Sequence, residues 1–188
     1  HQDTRVFSTS TALMTKRETS AATNNNAGPR RMGLYQRCIA QFNKALGQEF
    51  FIEAVAIAES LIADRLESRL AHKHEQIEEK RRFSTIGKLA AELNGKKADE
   101  PGEARELYSE IRIWASGRNK VIHEIVKLVE NEAPDWDDRY AQARQTAEKG
   151  MELFRKLDKV VSSLNKIPNR ESTLMTEKPG INSSKELR

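Results

Sequence analysis

Residues 116–129 read SGRNKVIHEIVKLV. Set on a helix at about 100° per residue, Val121, Ile122, Ile125, Val126, Leu128 and Val129 fill one broad arc. Lys120, Glu124, Lys127 and Glu130 fall outside it, as a solvated face does. The stretch therefore reads as an amphipathic helix, and Ser116-Gly117 ahead of it predicts a break from the preceding helix. Two of its residues are out of place. Arg118 projects into the middle of the apolar arc, and His123 lies at its edge beside Asn119, four residues earlier. An inward-facing arginine needs an acid, a carbonyl or a bound anion, because an unpaired buried charge is very costly. The start of a helix also favours anions. On the wheel Arg118 and His123 are too far apart to share a ridge, and they converge only if Arg118 takes up a cap conformation.

Working outward, the same three- and four-residue apolar steps recur and no strand-like alternation persists. A first helix is expected from about Leu34 to Leu46, stopped by Gly47. A long second helix, about Glu49 to His74, carries Phe51, Val55, Ala58, Ile62, Leu66 and Leu70 among its apolar positions. The run EQIEEKRR reads as its solvated end or a turn. A third helix starts near Ser84, a candidate cap, and ends at Asn94-Gly95. KKADEPGEA is a loop, with Pro101 near the start of a fourth helix that runs to Trp114-Ala115. The opening stretch follows, to about Pro134, and Asp135 can cap a last helix reaching about Leu164. The fold class is all-α: an antiparallel bundle of about five to six helices.

The bulk numbers agree with a helical domain and exclude several function classes. Of 188 residues, 37% are hydrophobic and 32% charged, enough for one domain with a real core. No run of about 18 apolar residues occurs, so no membrane-spanning helix is expected. Cys38 is the single cysteine, which excludes an internal disulfide and a cysteine zinc cage and suits a reducing, cytoplasmic setting. The net charge of +4 lies in the ends of the chain. Residues 1–31 carry five Lys/Arg against two acids and residues 165–188 five against three, leaving 22 bases against 23 acids in residues 32–164. General basicity therefore does not make residues 32–164 a basic-groove protein.

The Ser/Thr/Asn-rich residues 1–31 and the proline-bearing residues 165–188 read as disordered tails flanking a domain at 32–164. The chain starts at His1, so a processed chain or added residues are expected, with Met14 a candidate native start. The acid-poor N-terminal stretch is faintly similar to an organellar transit peptide; a tag or plain tail is the better reading.

Chemistry-bearing residues are few. On the second helix Glu59 lies among Ile52, Val55, Leu66 and Leu70, an acid on an apolar face that matches Arg118. The pair reads equally as a buried ion pair without function. Arg65 and Arg69 also sit near apolar positions, where long arginines are expected to snorkel to solvent. His72 and His74 are two apart, face different sides, and read as solvated residues rather than metal ligands. Trp114 and Trp136 are expected in the core. Nucleotide-cradling and acyl-transfer motifs are missing from the sequence, and neither cofactor nor metal is expected.

Arg118-Asn119-Lys120-Val121-Ile122-His123 resembles the signature of HEPN domains, in which an arginine, a polar residue, variable positions and a histidine open a late helix of a small helical bundle. The resemblance spans roughly residues 32–164, although only the motif and the helix order are specific. It implies a metal-independent endoribonuclease, of the kind found as toxins or in defence against phage, acting as a homodimer whose two motifs share a cleft. On that resemblance Arg118 holds the scissile phosphate. His123 is the general base or acid on the ribose 2′-OH and the leaving 5′-oxygen. Asn119 orients His123 or the phosphate, and Glu59 positions the arginine. The implied partners are an RNA substrate, a second copy, and an antitoxin or other regulatory protein. Members controlled by a nucleotidyltransferase antitoxin often carry tyrosine two residues after the histidine; Ile125 stands there, against that mode of control. Other members are non-catalytic modules that bind protein or nucleic acid, the alternative kept open.

Overall fold

The computed structural model describes residues 27–73, 84–95, 99–123 and 135–166, and every element among them is an α-helix. They are α1 (Ala27–Gly47), α2 (Phe51–Lys73), α3 (Ile86–Asn94), α4 (Gly102–His123) and α5 (Trp136–Leu164). Residues 1–26, 74–83, 96–98, 124–134 and 167–188, which include His74, the EQIEEKRR run and most of both expected tails, lie outside the described residues, whereas residues 27–31 of the expected N-terminal tail belong to α1.

Helix α2 is the element around which the others pack: it meets α1, α3, α4 and α5. All six of its expected apolar positions, Phe51, Val55, Ala58, Ile62, Leu66 and Leu70, are buried. Each large side chain among them contributes about 1.5–3 kcal/mol relative to exposure. Helix α1 begins at Ala27, seven residues before the expected Leu34, and it ends at Gly47 as expected. The left-handed residue at this corner is Glu49, with φ of 63°. Phe50 N–H then bonds back to the Ala45 carbonyl at 2.8 Å, which turns α2 onto α1. Thr85, one residue after the expected Ser84, is the cap of α3 by its backbone and makes no side-chain capping bond. Asp135 caps α5 by accepting from Asp137 N–H.

The expected break at Ser116-Gly117 does not occur. Helix α4 passes through both residues, so the fourth and fifth expected helices are one over the described range. A helical glycine costs about 1 kcal/mol relative to alanine, and packing on both sides outweighs that. Trp114 is buried ahead of the glycine and donates from Nε1 to the Thr146 carbonyl of α5 at 2.9 Å. Its ring lies so close to Gly150 that a Cβ there would meet it at 2.6 Å. Beyond the glycine, Val121 packs with Phe51 and Ala143 against Leu46 and Tyr140. The segment carrying Arg118 is thus held at both ends. A Cβ on Gly117 would meet nothing within 4 Å. Gly117→Ala is accordingly expected to stabilise the protein by up to about 1 kcal/mol, measured by urea denaturation; a loss of stability would mean that the chain turns there.

Three expectations about large side chains are corrected. Arg65 and Arg69 do not snorkel; both are buried. Arg65 pairs with Asp158 at 3.1 Å and donates to Ser162 Oγ at 3.1 Å. Arg69 and Lys73 both meet Glu100 Oε1 at 3.0 Å, and Arg69 also donates to Asn165 Oδ1. Trp136 is not in the core: it is 56% exposed and stacks on Tyr140 at the head of α5. Trp136 sits in the first turn, where the acidic residues Asp137 and Asp138 already face solvent. The phenols of Tyr35 and Tyr108 are pushed well above the usual tyrosine range, chiefly by burial and further by Asp64 and Glu100 respectively.

Candidate functional site

The pairing suggested by the two helical wheels is present: the Arg118 guanidinium on α4 forms an ion pair with the Glu59 carboxylate on α2. The arginine side chain is 12% exposed and the glutamate 30% exposed, so the pair sits at the edge of the core. Burial lowers the Arg118 pKa from its usual value, but a guanidinium still remains charged at neutral pH. Its Nη1 donates to Asn119 Oδ1 at 2.6 Å. Asn119 has thereby committed its carbonyl oxygen to the arginine, which leaves its NH₂ to donate outward. Arg118 Nε is buried without a partner. The guanidinium therefore bridges the half-buried Glu59 carboxylate and the outward amide.

Because α4 continues through Gly117, Arg118 does not adopt a cap conformation, and that route to convergence with His123 is closed. Continuity creates a different relation. Arg112, Ser116, Asn119 and His123 are spaced by four, three and four residues, which places them within an arc of about 60° on one face of α4. Residues four apart on a helix are surface neighbours with Cβ atoms about 5–6 Å apart. Asn119 and His123 are such a pair, and both are exposed. The site residues thus form a sequence in space: Glu59 to Arg118 to Asn119 by direct contact, then His123 one turn further along Asn119's ridge.

The same face borders a groove of about 840 Å³ between the start of α3 and the middle of α4. Arg118 and Asn119 close one end of its lining, with Ser116, Ile113 and Arg112 along α4 and Thr85 and Lys88 opposite on the α3 side. His123 is not among the lining residues. Among the described residues three cations and no acid line this groove, although the bases and acids of residues 32–164 nearly balance. The positive character of this face is local, so summed charge could not reveal it. The spacing Arg112-Ser116-Asn119-His123 was available in the sequence, but it reads as one ridge only once the helix is known to be continuous.

His72 is half-buried on α2, and His74 and Ile125 lie outside the described residues. Among the described residues no three His, Cys, Asp or Glu side chains gather closely enough to hold a metal ion, and no helix is long and apolar enough to cross a membrane. Comparison of the chain with protein-family models, with curated proteins and with solved structures finds no match.

Proposed function

We propose that this helical domain is a metal-independent endoribonuclease of HEPN type, working as a homodimer. The observation that carries the reading is the arrangement on α4: Arg118 held between Glu59 and Asn119, with His123 exposed one turn beyond Asn119. In the reaction an imidazole takes the proton of a ribose 2′-OH, and the 2′-oxygen attacks the adjacent phosphorus. The bond from phosphorus to the 5′-oxygen breaks, and the leaving oxygen receives a proton. The products are a 2′,3′-cyclic phosphate and a 5′-hydroxyl. Arg118 and the Asn119 NH₂ take the charge that develops on the phosphoryl oxygens. In a symmetric pair of chains two such ridges share one cleft, so one imidazole removes a proton while the other returns one.

Glu59 is a positioning residue in this scheme, since it touches the arginine rather than the substrate. Glu59→Gln keeps the size and removes the charge. It is expected to lower RNA cleavage about tenfold, with the loss in kcat rather than KM, while costing about 1 kcal/mol of stability or less at this partly exposed site. Wild-type kcat in this variant would leave the pair a structural feature. A second reading, a non-catalytic module that binds RNA or protein, draws support from the same ion pair, because Glu59 already neutralises Arg118. The test that separates the two is incubation of the full chain with RNA in EDTA. Cleavage lost in Arg118→Ala and His123→Ala supports the enzyme; no cleavage by the wild type favours the module.

A further inference from the structure

We infer that the groove between α3 and α4 is the track for a single-stranded RNA, with Lys88 and Arg112 holding backbone phosphates upstream of Arg118 and Ile113 forming an apolar shelf for a base. This rests on the reading of the Arg118–His123 face as an RNA site and extends it to residues that the motif does not include.

Four features favour a strand over other ligands. The cations stand on both walls, Lys88 on α3 and Arg112 on α4, and both are exposed. Among the described residues no carboxylate lines the groove, so none of their acids stands against a polyanion inside it. In the same lining Ile113 is 75% exposed, an apolar surface that a duplex backbone has no use for but an unstacked base does. The groove's volume of about 840 Å³ lies in the range of small-ligand clefts, which is room for a few nucleotides. Direction follows from the ridge. From Arg112 to His123 is eleven residues, about 16 Å of helix, so a strand gripped at Arg112 passes Ser116 and Asn119 before it reaches the imidazole. A purely acidic peptide such as poly-glutamate would satisfy the cations but carries no apolar or aromatic face to cover Ile113.

The test uses the full chain and a fluorescent, uncleavable 2′-O-methyl RNA strand of about eight nucleotides, within the site sizes that single-strand grooves take. Binding is measured by anisotropy across a salt series for wild type, Lys88→Gln/Arg112→Gln and Ile113→Ser. The substituted side chains are exposed, so folding is not at stake; circular dichroism verifies it. The double variant is expected to bind about tenfold more weakly, with the slope of log K against log salt shallower by about 1.4, since each single-strand phosphate contact contributes about 0.7. Ile113→Ser is expected to weaken binding severalfold with the slope unchanged, and a duplex of the same length to bind less tightly than the strand. Unchanged affinity and slope in the double variant overturn the inference, as does a poly-glutamate peptide that displaces the strand at equal charge concentration. Strand binding with these responses but no cleavage of natural RNA leaves the groove standing and removes the enzyme. Cleavage whose KM ignores Lys88 and Arg112 does the reverse.

Discussion

Replacing His123 with alanine is expected to lower the rate of RNA cleavage by about 10²–10⁴-fold, the span that a positioned general acid–base group contributes, while the fold and the affinity for RNA persist. The side chain is exposed, so its removal opens no cavity. The anchors of its helix, Trp114 bonded to Thr146 of α5 and Val121 against Phe51 and Ala143, are untouched. Arg118→Ala is expected to cost about 10²–10³-fold through lost stabilisation of the phosphoryl charge. It differs in a second respect: it leaves the Glu59 carboxylate and the Asn119 carbonyl oxygen without their partner, so a modest drop in stability accompanies it. Rate measurements paired with urea denaturation separate the two variants. Equal cleavage by wild type and His123→Ala would assign the activity to another nuclease and remove the imidazole from the mechanism.

The largest expected effect on stability lies away from the site, at Glu100. Its carboxylate has no exposed surface and is met by Arg69 and Lys73 at 3.0 Å and by the Tyr108 hydroxyl. Glu100 lies just before α4 and pairs with the far end of α2. Alanine there would leave the buried Arg69 without the carboxylate it pairs with and would remove one partner of Lys73. Removing one member of a buried pair typically costs 3–5 kcal/mol, roughly, against a total stability of about 5–15 kcal/mol for a domain. Lys73 keeps some access to water, which places the expected loss at about 3 kcal/mol, the lower end of that range. The denaturant midpoint should fall accordingly with its slope unchanged; a loss below about 1 kcal/mol would mean that water or other groups compensate the cations.

The buried stripe of α2 was legible in the sequence because one periodicity, Phe51 to Leu70, survives in a helix that packs on several sides. Arg118 and Glu59 were legible for a related reason. Each is a charge out of phase with its own helix, and out-of-phase charges of opposite sign have few alternatives to meeting. What misled was local chemistry without its tertiary context. Ser116-Gly117 has the composition of a break, yet the packing of Trp114 and Val121 on either side carries the helix through it. That one difference changed the site, because it withdrew the cap conformation for Arg118 and put Asn119 and His123 on one ridge. Arg65 and Arg69 were misread because their partners, Asp158 and Glu100, lie on elements distant in sequence, where periodicity carries no information. The groove cations Lys88 and Arg112 were missed for the same reason: neither is unusual on its own helix, and only the packing of α3 on α4 brings them together.

The most direct test of the proposed ribonuclease is the chemistry of the ends it leaves. The full chain is incubated with a defined single-stranded RNA in excess EDTA, and the 3′ termini of the fragments are identified by mass spectrometry. The account predicts 2′,3′-cyclic phosphate termini from the wild type and intact RNA from His123→Ala. Fragments ending in a 3′-hydroxyl, or the same cyclic termini from both proteins, would contradict it.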